Sequence, residues 1–252
     1  MGGRMPERRA RWSIPAGILV ALLAGPAIAG PPFVSDDPEP TDTGHFEIYT
    51  FNNGTNASSG TTGESGIDFN YGAARDLQLT ATLPAGYSDV GGGGTRVGLG
   101  NVELAAKYRF LHQDDFGFDV AIFPRVFLPS GSGTIGDNHV SLLLPIWIQK
   151  DFGKQWSTFG GGGCTFNAIP AANFCQVGAV VTYQILPKLQ IGGELFHQTA
   201  DSQGTPASTS VGIGWRYDVN DNYHLLGYVR RGIENADETN RYSWYASVLF
   251  TF

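Results

Sequence analysis

NRYSWYASVLFTF, Asn240 to Phe252, places every second large side chain on one face. Tyr242, Trp244, Ala246, Val248, Phe250 and Phe252 alternate with Arg241, Ser243, Tyr245, Ser247, Leu249 and Thr251. Side chains along a strand point to opposite faces in turn, so this is a β-strand between two unlike media. A strand with hydrocarbon on one side and water on the other has this pattern. Only helices and closed sheets cross hydrocarbon, because every backbone amide there needs a partner.

The same period recurs upstream. Thr209, Val211, Ile213, Trp215 and Tyr217 share one face, against Ser208, Ser210, Gly212, Gly214 and Arg216. Val102, Leu104, Ala106, Tyr108 and Phe110 oppose Asn101, Glu103, Ala105, Lys107 and Arg109. About twelve segments alternate in this way, near 45–52, 64–72, 75–83, 97–111, 116–129, 138–150, 155–166, 174–186, 188–200, 207–218, 222–231 and 240–252. Short links such as Ala73-Ala74, Gln113 to Asp115 and Asp151 to Lys154 alternate with longer Gly-, Ser- and Asn-rich ones. Among the longer ones are NNGTNASSGTTG, PSGSGTIGDN and GIENADET. Short turns at one end and long loops at the other predict an all-β, up-and-down transmembrane antiparallel barrel over residues 45–252, with both termini at the short-turn end. A soluble two-sheet sandwich also alternates, but it has no use for an apolar stripe on every strand. Pro124 and Pro145 fall within strands and remove ladder donors, so bulges are expected there.

Composition agrees. Charged residues are 15% of the chain and hydrophobic ones 42%, against a usual charged share of about 25%. Residues 1–29 read as a signal peptide: Arg4, Arg8, Arg9 and Arg11 precede the apolar Ile14–Ala29, which ends in Ala27-Ile28-Ala29. Its removal takes four Arg and one Glu and moves the formal net charge from −7 to −10, which argues against a nucleic-acid partner. Cys164 and Cys175 read as one disulfide of an exported protein. Residues 30–44 read as a periplasmic arm. Its Asp36, Asp37, Glu39 and Asp42 either bind calcium or, spaced by Pro38 and Pro40, stay solvated. The solvated arm is the expectation, and no metal or cofactor is expected. Gly91 to Gly94 lacks the Lys and helix of a phosphate loop.

The predicted inner faces carry Glu47, Asp68, Glu103, Asp119 and Glu194 with Lys107, Arg109, Arg125, Arg216, Arg230 and Arg241. They also carry Tyr49, Phe51, Phe123, Phe127, Trp147, Phe159, Phe196, Tyr228 and Tyr245. Two readings stand together. The charges are salt-bridged filling or a polar filter, and the aromatics are packing or the wall of a site for a small hydrophobic molecule. In the second reading Arg125 or Arg230 orients the solute.

PPFVSDDPEPTDTGHFEIYTF (31–51), LPIWIQKDFGKQWSTFGGGG (144–163), IGGELFHQTAD (191–201) and NYHLLGYVRRG (222–232) resemble the MetA-pathway-of-phenol-degradation family of outer-membrane proteins. The resemblance runs from Pro31 to Phe252 and implies an outer-membrane barrel that moves small aromatic compounds. It carries no catalytic or binding residue onto this chain. By resemblance too, a last strand ending in Phe252 looks like the signal read by barrel-assembly machinery. His139 and Ser141 keep a hydrolase open as an alternative, since membrane-embedded lipid hydrolases also place His-x-Ser on a barrel strand. No orienting third group is evident beside them. Glu194 and His197 are three apart and point to opposite faces. A structural or adhesive barrel with long loops is the remaining alternative.

Overall fold

The computed structural model describes residues 32–91, 94–132, 135–201 and 203–252. The strands in chain order are β1 (Phe46–Ala57), β2 (Gly60–Ala74), β3 (Leu77–Val90), β4 (Arg96–Leu99), β5 (Glu103–Leu111), β6 (Asp119–Ile122) and β7 (Arg125–Phe127). They continue with β8 (Ser141–Phe152), β9 (Trp156–Asn167), β10 (Phe174–Leu186), β11 (Leu189–Gln198), β12 (Ser208–Asp218), β13 (Tyr223–Glu234) and β14 (Tyr242–Thr251). Strands β4 and β5 both pair with β3 and form one stave interrupted at 100–102. Strands β6 and β7 both lie between β5 and β8 and form another, interrupted at Phe123-Pro124. The barrel thus has the twelve staves the alternation implies. It closes where β1 pairs antiparallel with β14, from Glu47↔Thr251 to Asn56↔Tyr242. Phe46 and Phe252 seal that seam by exchanging backbone hydrogen bonds of 2.7 and 3.1 Å.

The apolar stripes face outward. Val177, Val181, Leu195, Val211, Ile213 and Val229 are all exposed, Ile213 at 68% and Val229 at 63%. Their strand neighbours Val180, Thr182, Glu194, Phe196, Ser210 and Tyr228 are buried inside. An exterior this apolar is stable only against lipid.

The two prolines are accommodated without the expected bulges. Tyr108↔Ile122 and Ala105↔Arg125 keep one register across the interruption, as do Ile122↔Ile146 and Arg125↔Leu143. Two rungs are omitted without a slip. The Pro145 carbonyl accepts from Phe123 N at 3.2 Å, and the Pro124 carbonyl accepts from Ala106 N at 3.2 Å. The donor missing from Pro145 faces the place where its partner stave is already interrupted. Register shifts fall instead near the barrel ends, at Gly72/Ala74, Arg109/Leu111, Gln184/Leu186 and Thr209/Ser210.

Several connections differ from expectation. NNGTNASSGTTG is strand except for a tight turn at Ser58-Ser59. Its polar side chains are satisfied across the hairpin, Asn52 Nδ2 donating to Ser65 Oγ at 2.8 Å and Asn56 Nδ2 to Thr61 Oγ1 at 2.9 Å. The turn expected at Ala73-Ala74 lies at Arg75-Asp76, where Asp76 takes a positive φ of 63°. The 113–115 link is a one-turn helix, α1 (Gln113–Phe116). Cys164 and Cys175 stand directly opposite on β9 and β10 and are disulfide-bonded.

Val229→Arg puts a charge on the middle of the lipid-facing surface. It should cost about 2–4 kcal/mol in folding into bilayers, read by denaturant titration in liposomes. An unchanged midpoint would mean that this face does not meet lipid.

Candidate functional site

The arm that the sequence suggested is solvated lies inside the barrel. Asp37 is 1% exposed, and Ser35, Pro38 and Thr41 are also buried. The path starts at the short-turn end, where Thr43 bridges to Gly72 and Gly44 N donates to the Gly72 carbonyl at 2.7 Å. Thr41 donates through its backbone and its hydroxyl to Gln78 Oε1, at 2.8 and 3.1 Å. The chain then crosses the lumen. Lys107 Nζ lies 3.0 Å from Asp36 and 3.7 Å from Asp37, and it donates to the Glu39 carbonyl at 3.3 Å. On the far wall, Glu194 accepts from Ser35 N at 2.7 Å, from Val34 N at 3.3 Å and from the Tyr228 hydroxyl. Phe33 meets Phe159 and Tyr228 edge-on, with centroids 5.9 and 5.5 Å away. The arm fixes its own bend: Asp37 N donates to Asp36 Oδ1 and Glu39 N to Asp37 Oδ1, and Pro38 and Pro40 on either side of Glu39 preset φ.

The wall has glycines where the arm touches it. A Cβ on Gly178 would collide with Ser35 Oγ, and one on Gly72 with the Asp42 carbonyl. A Cβ on Gly192 or Gly214 would stand 2.7 or 2.8 Å from the Phe33 ring. Gly193, which faces the other way, would meet only the Gly212 carbonyl at 3.8 Å. Close approach of the arm explains the first set: its backbone lies on Gly72, and its Ser35 and Phe33 side chains lie on Gly178, Gly192 and Gly214.

Between the arm and the wall of β1, β2, β3, β5 and β14 remains a cavity of about 240 Å³. The wall contributes Glu47, Glu64, Asp68 and Glu103, and the arm contributes Asp36, Asp37 and Glu39; Lys107 and Arg125 are the cations. Arg125 grips Glu103 with two bonds, 2.6 and 2.9 Å long. Tyr49, Phe51, Phe123 and Tyr245 supply aromatic surface.

The expected lumen residues fall into groups. Glu103, Lys107, Phe123 and Arg125 line this cavity. Glu194 and Tyr228 hold the arm on the opposite wall, where Phe196 lies beneath the Arg230 guanidinium at 5.3 Å. Trp147 is buried on β8, and Phe127 is half-buried on β7. Arg109 belongs to the short-turn end, 3.3 Å from Asp76, 3.8 Å from Asp119 and 4.0 Å from Glu39. Arg216 lies at that end too, bound to Asp218 at 2.9 Å and to His224 at 3.1 Å. Arg241 is not in the lumen. It precedes β14 at the long-loop rim and pairs with Asp237 at 2.8 Å. Sequence periodicity missed Glu64 and the arm residues Phe33, Ser35, Asp36 and Asp37. Nothing in the alternation marks a segment that is not a strand. The density of carboxylates in DDPEP facing the expected inner Lys107 and Arg109 was the available signal.

The hydrolase pairing is not assembled. His139 is exposed ahead of β8, Ser141 is buried as its first residue, and among the described residues no hydrogen bond joins them.

Fold and lumen together define a closed barrel of the outer-membrane type, with its lumen occupied by its own N-terminal arm. The chain belongs to the family described as "Putative MetA-pathway of phenol degradation", whose model matches residues 34–246. Among solved structures it is similar to the COG4313 outer membrane channel from Pseudomonas putida F1, at 15% identity and TM-score 0.67, over 86% of this chain and 98% of that one. The KdgM porin (13%, TM-score 0.58, 82% and 99%) and the NanC porin (11%, TM-score 0.56, 81% and 98%) are also similar. At such identities these likenesses show the fold alone. No curated protein matches the sequence.

Gly178→Val and Gly214→Leu should dislodge the arm and raise single-channel conductance several-fold, while Gly193→Ala leaves it unchanged. Equal conductance in all three would show that the arm does not sit on these glycines.

Proposed function

We propose that the protein is an outer-membrane channel for small, mainly hydrophobic or aromatic molecules, in which residues 32–43 must shift before a solute passes. The supporting observation is the filled lumen: the arm leaves a cavity of about 240 Å³, in which Tyr49, Phe51, Phe123 and Tyr245 present aromatic surface among the charged side chains, rather than an open aqueous bore. Aromatic surface in a confined lumen gives a small ring-bearing ligand something to pack against, and the polar groups around it fix its orientation. In this reading Glu103, Lys107, Arg125 and Phe123 form the near part of the solute pathway, and Trp147, Phe196, Tyr228 and Arg230 form the far wall. The KdgM porin has been solved with disordered oligogalacturonate. A polyanion of that kind is repelled by the carboxylate excess here, so the shared fold does not bring that solute with it.

The same reading covers export and assembly. Residues 1–29 are removed as a signal, a segment outside the described residues. Phe252, exposed and stacked on Phe46 at 5.7 Å, gives the assembly machinery its terminal aromatic on a strand whose outer face is apolar. Lipid is the partner of that outer face.

Proteoliposome uptake tests the reading. A neutral monophenol should enter faster than a polyol of equal size, and deletion of residues 32–43 should speed both and abolish the difference. Equal entry of the two solutes through the full chain would overturn it.

A further inference from the structure

The cavity beside the arm has seven carboxylates and two cationic side chains on its lining. Arg125 is committed to Glu103, and Lys107 is shared by Asp36 and Asp37. Among the described residues, Glu47, Glu64 and Asp68 have no basic side chain within 4.0 Å. Glu47 accepts from the Tyr49 hydroxyl and Asp68 from Thr82, each at 3.2 Å, but neither contact supplies positive charge. Asp37 adds a separate observation. It is 1% exposed, lines the same cavity, and its Oδ2 has no hydrogen-bond partner.

The aromatic surface is divided in a way that bears on this. The Phe123 ring already carries two cations, with Lys107 Nζ at 4.9 Å and the Arg125 guanidinium at 5.3 Å from its centroid. Phe51 and Tyr245 stack on each other at 6.3 Å and, among the described residues, carry none. Phe51 pairs with Gly66 and lies over it, a Cβ there standing only 2.9 Å from the ring. Glu64 and Asp68 flank Gly66 on the same face of β2, two residues to either side. An uncommitted aromatic face thus sits between two carboxylates that lack a cation.

We propose that this cavity is a site for a small organic cation: a primary ammonium on an aromatic or compact apolar body. The ammonium is held by Glu64, Asp68 and Asp37 and the body by Phe51 and Tyr245. A charge held by carboxylates and an aromatic face in a desolvated lumen is bound more firmly than the same group in water. The volume suits about eight water equivalents, a molecule of roughly ten heavy atoms. This inference rests on the channel reading and gives it a solute class.

The test uses the full chain purified in detergent, with calorimetric titration of 2-phenylethylammonium, 2-phenylethanol and 3-phenylpropanoate. The ammonium should bind about tenfold or more tighter than the alcohol, the product of one ion pair and one cation–π contact, and the carboxylate should not bind. Glu64→Gln combined with Asp68→Asn should abolish the preference. Phe51→Leu should weaken the ammonium and leave competition by potassium unchanged. Heat-modifiability on gels checks that each variant is folded; if the double variant is not, the comparison of ammonium with alcohol in the natural chain decides. Equal binding of ammonium and alcohol, or a preference that survives in the folded double variant, overturns the proposal. An infrared carbonyl band at neutral pH that disappears in the double variant, with no amine binding, overturns it as well, because protons would then be the neutralising partner. Uptake of the neutral monophenol is independent of these results, so the channel reading stands or falls separately.

Discussion

In hydrocarbon no water completes an unpaired amide, and that constraint organises this molecule. It requires a sheet without edges, so β1 must meet β14, and it requires strict alternation so that one face is apolar throughout. It also explains the handling of proline. Pro124 and Pro145 each lack a donor, and the chain places both at one interruption between β5 and β8. There their carbonyls still accept, from Ala106 and Phe123, and the ladder resumes in register on either side. Proline is tolerated where the pairing is already relinquished.

Closure at twelve staves then sets the problem of the interior. A barrel of eight strands is filled by its own side chains, while one of sixteen or more leaves a water channel. Twelve is intermediate, and here the remaining space is taken by a segment of the same chain. The arm's polar bend suits this lumen. Its carboxylates meet Lys107 and Arg109, its amides meet Glu194, and its single aromatic finds a slot between Phe159, Val180 and Tyr228. Glycines at the contact points leave room on the wall for the arm's backbone at Asp42 and for its Ser35 and Phe33 side chains.

Much of the barrel was legible because lipid imposes a period on every strand. The outward Val177, Val181, Ile213 and Val229 could be read from spacing alone, as could the inward Glu103, Lys107, Arg125 and Tyr228. Composition misled where polarity does not mean loop. Asn52, Asn56, Thr61 and Ser65 belong to a hairpin whose side chains bond across it. The arm was misread for a related reason. Three Asp, a Glu and four Pro look solvated in isolation, and only the position of Lys107 and Arg109 on the facing wall makes burial favourable. That information is long-range, and strand periodicity does not carry it. Arg241 shows the converse: parity pointed it inward, but a side chain beyond the last rung of β14 is free to pair with its helical neighbour Asp237.

Wall and arm also differ in how firmly they are held. Each stave is retained by ladder bonds in hydrocarbon, where an unmade bond costs several kcal/mol. The arm is retained by ion pairs and amide–carboxylate bonds that water can replace. For buried pairs of this sort desolvation offsets most of the Coulombic attraction. Phe33, its one aromatic side chain, is partly buried and contributes less than the roughly 3 kcal/mol of a fully buried ring. The arm is therefore an element whose departure costs little more than its own contacts, and it occupies the bore. A cation that satisfied Asp37, Glu64 and Asp68 would compete directly with Lys107 for the arm's carboxylates, so occupancy of the cavity and retention of the arm share the same charges.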